Sequence, residues 1–249
     1  MKVLEPIWIE KTETAARVRG RIENVVDWAT TSGYRKGENP ARWRGYLENL
    51  LPNKTRVHRV NHREALPYRE IGTFMKELRE REEGSARCLE FLILTATRSG
   101  EAFGARWSEI NFAERTWVIP ADRMKAGQEH KIPLSTPAVA IVERLAEFRS
   151  SDLIFPSRTC KPFTSATMPR LLERVGHADL TAHGFRSTFR DWAAECTNFP
   201  REVVEMALAH AIGNKVEAAY RRGDLFQKRR QLAEAWGRYC MAPIVMGEV

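Results

Sequence analysis

Apolar positions along this chain recur mostly at three- and four-residue spacing, so the predicted elements are chiefly helices. Val18, Ile22, Val25, Val26 and Ala29 mark one amphipathic helix that ends near Gly33, after irregular residues 1–11. Asn39 followed by Pro40 reads as an N-cap with proline in the first turn, opening a second short helix through Trp43, Leu47, Leu50 and Leu51 that Pro52 stops. From Pro67, Ile71, Phe74, Met75 and Leu78 predict a helix broken by Gly84, and the apolar run 88–96 predicts a buried helix that gives way to a turn at Arg98. The pattern then changes. Residues 116–120 and 131–134 read as strands joined into an antiparallel β-hairpin with Gly127 near its tip. Helical spacing resumes over 138–148, 165–175, 181–195 with Thr181 as N-cap, 201–210, 216–220 and 227–239, followed by a loose apolar tail. The expected fold is mainly α with a small antiparallel β-sheet. Its parts are a partial helical domain at 1–52, a basic linker at 53–66 and a larger domain at 67–249.

Composition narrows the partner. The 249 residues are 43% hydrophobic, enough for a sizeable core, and 40 Lys and Arg against 32 Asp and Glu give a formal net charge of +8. A positive balance of this size favours a polyanion, either nucleic acid or an anionic membrane surface. Pro6, Glu10 and Lys11 interrupt any secretory pattern, and no apolar run approaches the roughly 20 residues of a membrane span, so the expected address is cytoplasmic. Cys88, Cys160, Cys196 and Cys240 are widely separated and form no C-x-x-C pair, which points to neither a zinc site nor a disulfide framework. No phosphate-binding glycine loop and no carboxylate cluster suited to two Mg²⁺ ions is found, which disfavours nucleotide hydrolysis and a metal nuclease.

Several residues combine into candidate chemistry. His183 and Arg186 sit at i and i+3 near a helix start, where an imidazole, a guanidinium fork and free amides could meet one anion. Arg98 directly follows a buried apolar run, where a charge is costly unless paired, and Glu101 three residues on is its natural partner. Lys125 lies near the hairpin loop, His210 at a helix end and Tyr220 on a short helix followed by Arg221 and Arg222. The segment 53–66 carries Arg56, Arg59 and Arg63, placed either for DNA phosphates or simply for solubility. Each feature alone is of a kind that surface helices and hairpins commonly carry.

Taken in order, Arg98 with Glu101, Lys125 in a hairpin, His183-x-x-Arg186, Leu208-Ala209-His210 and then Tyr220 resemble the tyrosine recombinases, most closely the phage-type integrases of bacterial genomes. The resemblance covers residues 67–240 as a catalytic domain, with 1–52 resembling part of a helical core-binding domain. It implies a site-specific recombinase that cuts and rejoins DNA through a covalent 3′-phosphotyrosine, without metal or nucleotide cofactor. In that scheme Arg98 and Arg186 hold the phosphate, His183 and His210 add hydrogen bonds, Tyr220 is the nucleophile and Lys125 the general acid. The implied partner is double-stranded DNA at attachment sites, bound by a chain that is monomeric when free and tetrameric on synapsed DNA. The segment after Tyr220 is then expected to pack on a neighbouring protomer. The family commonly places an arm-type DNA-binding domain ahead of the core-binding segment, and none is expected within these residues.

Overall fold

A computed structural model describes residues 2–57, 65–210 and 223–242, less the side chains of Thr55 and Arg56. The chain divides into two compact units, Met1–His62 and Arg63–Val249.

The first unit is organised by one tryptophan. Residues 5–8 form a short helix, α1 (Glu5–Trp8), where the sequence pattern predicted irregular chain. Pro6 suits its first turn because the missing N–H would have no partner there. Trp8 is buried, stacks on Trp43 with ring centroids 5.5 Å apart, and donates its indole N–H to the Pro52 carbonyl at 2.8 Å. Leu4, Ala15, Leu47 and Leu51 complete this small core. The expected amphipathic helix is α2 (Thr12–Thr31), yet its stripe is covered only over the first turns, since Val25 and Trp28 are 64% and 62% exposed.

The second predicted helix does not form. Residues 40–46 run as turns, and only a 3₁₀ turn, Leu47–Asn49, follows. Asn39 still makes the capping contact, and its amide nitrogen also ties the turn to α2. Asn39 Nδ2 donates to the Glu23 carbonyl at 2.8 Å and to Asp27 at 2.7 Å, while its Oδ1 accepts from Ala41 N. Gly45 then adopts a left-handed conformation (φ 73°), which a helix cannot continue through. Residues 54–57, expected within the linker, form the short helix α3 (Lys54–Val57), with Lys54 paired to Glu13 at 3.0 Å.

The second unit is built around α5 (Gly84–Thr95), which is buried from Cys88 to Leu94 on all sides. A helix apolar all round must be surrounded. Here α4 (Ile71–Arg79), α7 (Thr136–Ala146), α8 (Thr167–Arg174), α9 (Gly184–Cys196) and α11 (Phe226–Met241) pack against it. Gly84 opens α5; α4 has already ended at Arg79. Between α5 and the sheet lies α6 (Ser99–Phe103), and α10 (Arg201–Ala207) follows α9. The sheet has three antiparallel strands in the order β1 (Ile110–Asn111), β2 (Thr116–Ile119), β3 (His130–Pro133), so the predicted hairpin gains an edge strand. Trp117 on β2 faces the core against Phe91 of α5 and pairs with Ile132 of β3.

The last described helix, α11, packs within its own chain. Over its described length, α11 buries Leu232, Trp236 and Cys240 in its own chain's core. Trp236 donates its indole N–H to the Ile93 carbonyl at 2.8 Å and packs on Phe189, Trp192 and Tyr239. Gly237 permits this approach, because a Cβ there would lie 2.8 Å from Ser135 Oγ.

Removing that anchor tests whether α11 belongs to the fold of the free chain. Trp236→Ala is expected to lower stability by about 3–5 kcal/mol, read by denaturant titration of the isolated protein. A loss well under 1 kcal/mol would mean that α11 is not docked in cis in solution.

Candidate active site

The site begins where α5 stops. Ala96 takes a left-handed conformation (φ 51°) that ends the helix, and the chain turns through Thr97 into Arg98, the N-cap of α6. Glu101, in the first turn of α6, uses both carboxylate oxygens on Arg98. One accepts from its backbone N–H at 2.7 Å and the other from Nη1 at 2.9 Å. The same carboxylate thus caps the helix and orients the guanidinium. Its own side chain is 6% exposed, against 28% for Arg98. The pair is therefore rooted in the core with its cationic end towards solvent.

Arg186 arrives from the first turn of α9. Thr181, the expected N-cap, lies ahead of the helix, which starts at Gly184. Its hydroxyl still accepts from Gly184 N at 3.1 Å. Phe185 and Phe189 anchor that turn in the core, and Arg186 itself is only 4% exposed. Its Nη1 donates to the Ala96 carbonyl, the residue that ends α5. Its Nη2 donates to the Leu208 carbonyl at 2.6 Å and lies 3.1 Å from His210 Nε2. Nε has no hydrogen-bond partner among the described residues.

The end of α10 brings these groups together. Leu208 presents its carbonyl to Arg186, and the next carbonyl, of Ala209, accepts from Arg98 Nη2 at 3.3 Å. Ala209 is left-handed (φ 48°), which turns the chain so that two consecutive carbonyls serve two arginines and His210 follows beside them. Burial first, and then the neighbouring Arg98 charge, push Arg186 down to about 10, with Glu101 and Glu205 opposing. It stays cationic at neutral pH, held by carbonyls and by two nearby carboxylates.

Glu205 is a residue that sequence reasoning passed over. From α10 it holds His210 Nδ1 at 2.6 Å, and Arg190 and Arg201 approach it at 3.1 and 3.9 Å. Burial works to raise the Glu205 carboxyl, but the His210 hydrogen bond and the Arg190 and Arg201 charges outweigh it and hold it below the usual carboxylate range. A guanidinium can only donate, so His210 Nε2 accepts from Arg186, and Nδ1 carries the proton given to Glu205. A carboxylate that orients an imidazole in this way sets its tautomer and aim. A five-residue separation on the chain gave no spacing signal for it.

The remaining sequence-predicted residues are placed as follows. His183 is exposed at the N-cap of α9, three residues ahead of Arg186. Lys125 is exposed on the loop between β2 and β3 and makes no ion pair with a described residue. The base of that loop is tied inward, since Arg123 Nη2 donates to the Glu101 carbonyl at 2.5 Å. Tyr220, Arg221, Arg222, Arg59, Arg63 and the Arg56 side chain lie outside the described residues. Just beyond Arg222, Asp224 and Arg229 fasten the chain to the sheet. Buried Arg229 pairs with Asp224 at 3.0 Å and donates to the Lys131 carbonyl of β3 at 2.7 Å. His130, at the start of β3, is pushed down to about 4, chiefly by burial and then by the Arg229 charge, so its ring is neutral at physiological pH. Among the described residues no group of three or more His, Cys, Asp or Glu is placed to hold a metal ion. No described helix is long and apolar enough to cross a membrane.

Comparison with known proteins decides the family. Residues 64–225 match the phage integrase family, and residues 1–46 match the phage integrase central domain. This chain belongs to the phage integrase family. Relatives of this integrase-family chain include prophage integrase IntA of Escherichia coli K12, 41% identical over 157 residues, covering 61% of this chain and 38% of IntA. Prophage integrase IntZ of the same strain is 30% identical over 228 residues, covering 89% of this chain and 54% of IntZ. The integrase of enterobacteria phage P4 is 26% identical over 250 residues, covering 92% of this chain and 55% of that protein. The chain thus spans roughly two-fifths to just over half the length of these curated relatives. In fold it is similar to lambda integrase, with a TM-score of 0.62 at 16% identity to the tetramer bound to a Holliday junction, over 85% of this chain and 63% of that one.

The Glu205 contact is open to direct measurement. In the free protein, ¹⁵N spectra of His210 are expected to show the Nδ1–H tautomer. Glu205→Gln, whose amide oxygen still accepts, is expected to keep it and Glu205→Ala to lose it. An unchanged His210 spectrum in Glu205→Ala would remove Glu205 as the partner.

Proposed function

We propose that this chain is the catalytic part of a site-specific DNA recombinase that cuts and rejoins strands through a covalent 3′-phosphotyrosine. The observation that carries the reading is the sharing of one backbone bend, Leu208–Ala209, by Arg98 and Arg186, with His210 beside them. Two guanidinium groups that close together form a natural seat for a phosphodiester. Their fixed donors suit the two non-bridging oxygens, whose charge grows in the pentavalent transition state. Phosphoryl transfer needs mostly positioning and charge stabilisation, which is what such a set of side chains supplies.

In this scheme Arg98 is the more open fork. Its contacts to Glu101 and Ala209 leave donors for phosphate, while Arg186 is the buried one and Glu101 supports both from behind. Tyr220 attacks phosphorus, giving its phenolic proton to His183 as general base. The 5′-oxygen leaves with a proton from Lys125, and the phosphoester is kept on the tyrosine for attack by a new 5′-hydroxyl. His210 is assigned a hydrogen bond to the phosphate, which requires Nε2 to carry a proton and donate to the DNA rather than accept from Arg186. Arg56, Arg59, Arg63, Arg221 and Arg222 are assigned to DNA phosphates, in keeping with the net charge of +8. The substrate is double-stranded DNA at attachment sites, no metal or nucleotide takes part, and the enzyme works in the cytoplasm. The lambda integrase relatives in fold are a dimer on a core site and a tetramer on a Holliday junction. By analogy the chain is monomeric when free and tetrameric on synapsed DNA.

Cleavage of a nicked suicide substrate tests the proposal. Wild-type protein is expected to give a covalent protein–DNA adduct, and Tyr220→Phe to abolish it while retaining DNA binding. An adduct that persists in Tyr220→Phe refutes the assignment of the nucleophile. Absence of any wild-type adduct would favour a DNA-binding remnant, and relaxation of supercoils without strand exchange would favour a topoisomerase. Lys125→Ala is expected to slow cleavage by about 10²–10⁴-fold, with recovery when a 5′-thiol replaces the 5′-hydroxyl leaving group. Lack of recovery would take Lys125 out of the general-acid role.

A further inference from the structure

The loop that carries Lys125 is exposed at its tip but bolted at its base, and one side chain makes the bolt. Arg123 closes the 3₁₀ turn Ala121–Arg123 that leaves β2, and its side chain is only 18% exposed. Nη1 is bound by the Glu109 carboxylate, and Nη2 donates to the Glu101 carbonyl at 2.5 Å. Glu109 is itself a buried hub, accepting from Trp117 Nε1 on β2 at 2.9 Å and from Arg106 N at 3.1 Å. Gly104, at the end of α6, leaves room for the guanidinium, since a Cβ there would stand 2.7 Å from Arg123 Nη2. Met124, between Arg123 and Lys125, is buried in the main core and gives the loop a second, apolar anchor.

The consequence lies in what Glu101 does with its two ends. Its carboxylate orients Arg98, and its backbone carbonyl receives Arg123. A single residue of α6 therefore sets the phosphate-holding guanidinium and the stem of the lysine loop in one frame. We propose that Arg123 is a positioning residue for Lys125, holding the β2–β3 loop in register with Arg98 so that the ammonium reaches the leaving 5′-oxygen. The inference rests on the reading of Lys125 as general acid. In the step it serves, the P–O5′ bond breaks, the electron pair stays on O5′, and the Lys125 ammonium supplies the proton, becoming a neutral amine. The described contacts of Arg123 are within the chain, to Glu109 and the Glu101 carbonyl. Its charge is already matched by Glu109, so its contribution is placement.

The test compares wild-type, Arg123→Ala, Gly104→Ala and Lys125→Ala chains on two suicide substrates, one with the normal 5′-oxygen and one with a 5′-bridging sulfur, which leaves without a proton. Misplacing a catalytic group by about 1 Å costs on the order of 10²-fold. Arg123→Ala is expected to lose about that much on the oxygen substrate and little on the sulfur one, with DNA affinity unchanged. Gly104→Ala pushes the guanidinium out of its seat while leaving Arg123 in the chain, and is expected to show the same selective loss to a smaller degree. It carries the test by itself if Arg123→Ala does not fold. Equal loss on both substrates, or no loss, overturns the inference. Failure of sulfur to rescue Lys125→Ala sinks the general-acid reading instead, whatever the Arg123 result.

Discussion

Two guanidinium groups, Arg186 buried and Arg98 partly exposed, share one corner of this protein, and much of its second unit is arranged so that they can. Placing like charges together away from water is unfavourable unless their donors are met and their charge is balanced. Arg186 and Arg98 are met by the Ala96, Leu208 and Ala209 carbonyls and balanced by Glu101 and Glu205. Those groups come from the end of α5, from α6 and from α10, while Arg186 itself rides on α9. None of these elements can shift far without leaving a buried charge uncompensated.

The hydrophobic core supplies the rigidity this requires. The wholly buried α5 ends at the corner, and Phe185 and Phe189 hold the first turns of α9. The core is closed by α11 through Trp236, whose indole bonds the α5 carbonyl of Ile93. Burying the last helix in cis makes the frame of the site a property of a single chain. Backbone conformation is used with similar economy. Ala96 and Ala209 are both left-handed, and both sit where a helix must stop so that its last carbonyls are free for an arginine.

Donors arranged in this way need little reorganisation when an anion arrives, which is the usual source of catalytic power in phosphoryl transfer. The exposed groups differ in character. His183 and Lys125 stand at the periphery, on a helix start and on a loop, each joined to the buried frame through a neighbour, Arg186 three residues along or Arg123 two residues before. The division is physically reasonable. Under the proposed function, the phosphate-holding groups gain from burial and fixed geometry, whereas the proton-transfer groups must reach DNA that comes from outside.

Local pattern decided a good deal. The apolar run at 88–96 read as a buried helix, the β-branched and aromatic run at 116–119 as a strand, and Arg98 after an apolar helix called for a partner, found three residues on at Glu101. Mainly helical architecture with a small sheet follows from such spacing, as does the phage integrase resemblance carried by the order of a few polar residues. Other features were decided only in three dimensions. Asn39 caps as expected, yet its amide nitrogen ties the following turn to α2 and no helix follows, while 5–8 is helical with Trp8 stacked on Trp43. Glu205 beside His210, and Glu109 with the Glu101 carbonyl around Arg123, join elements or turns whose separation along the chain matches no helical or strand period. Periodicity encodes which face of an element is apolar. It does not encode which carbonyl or carboxylate a buried charge will find, because that depends on how separate elements meet.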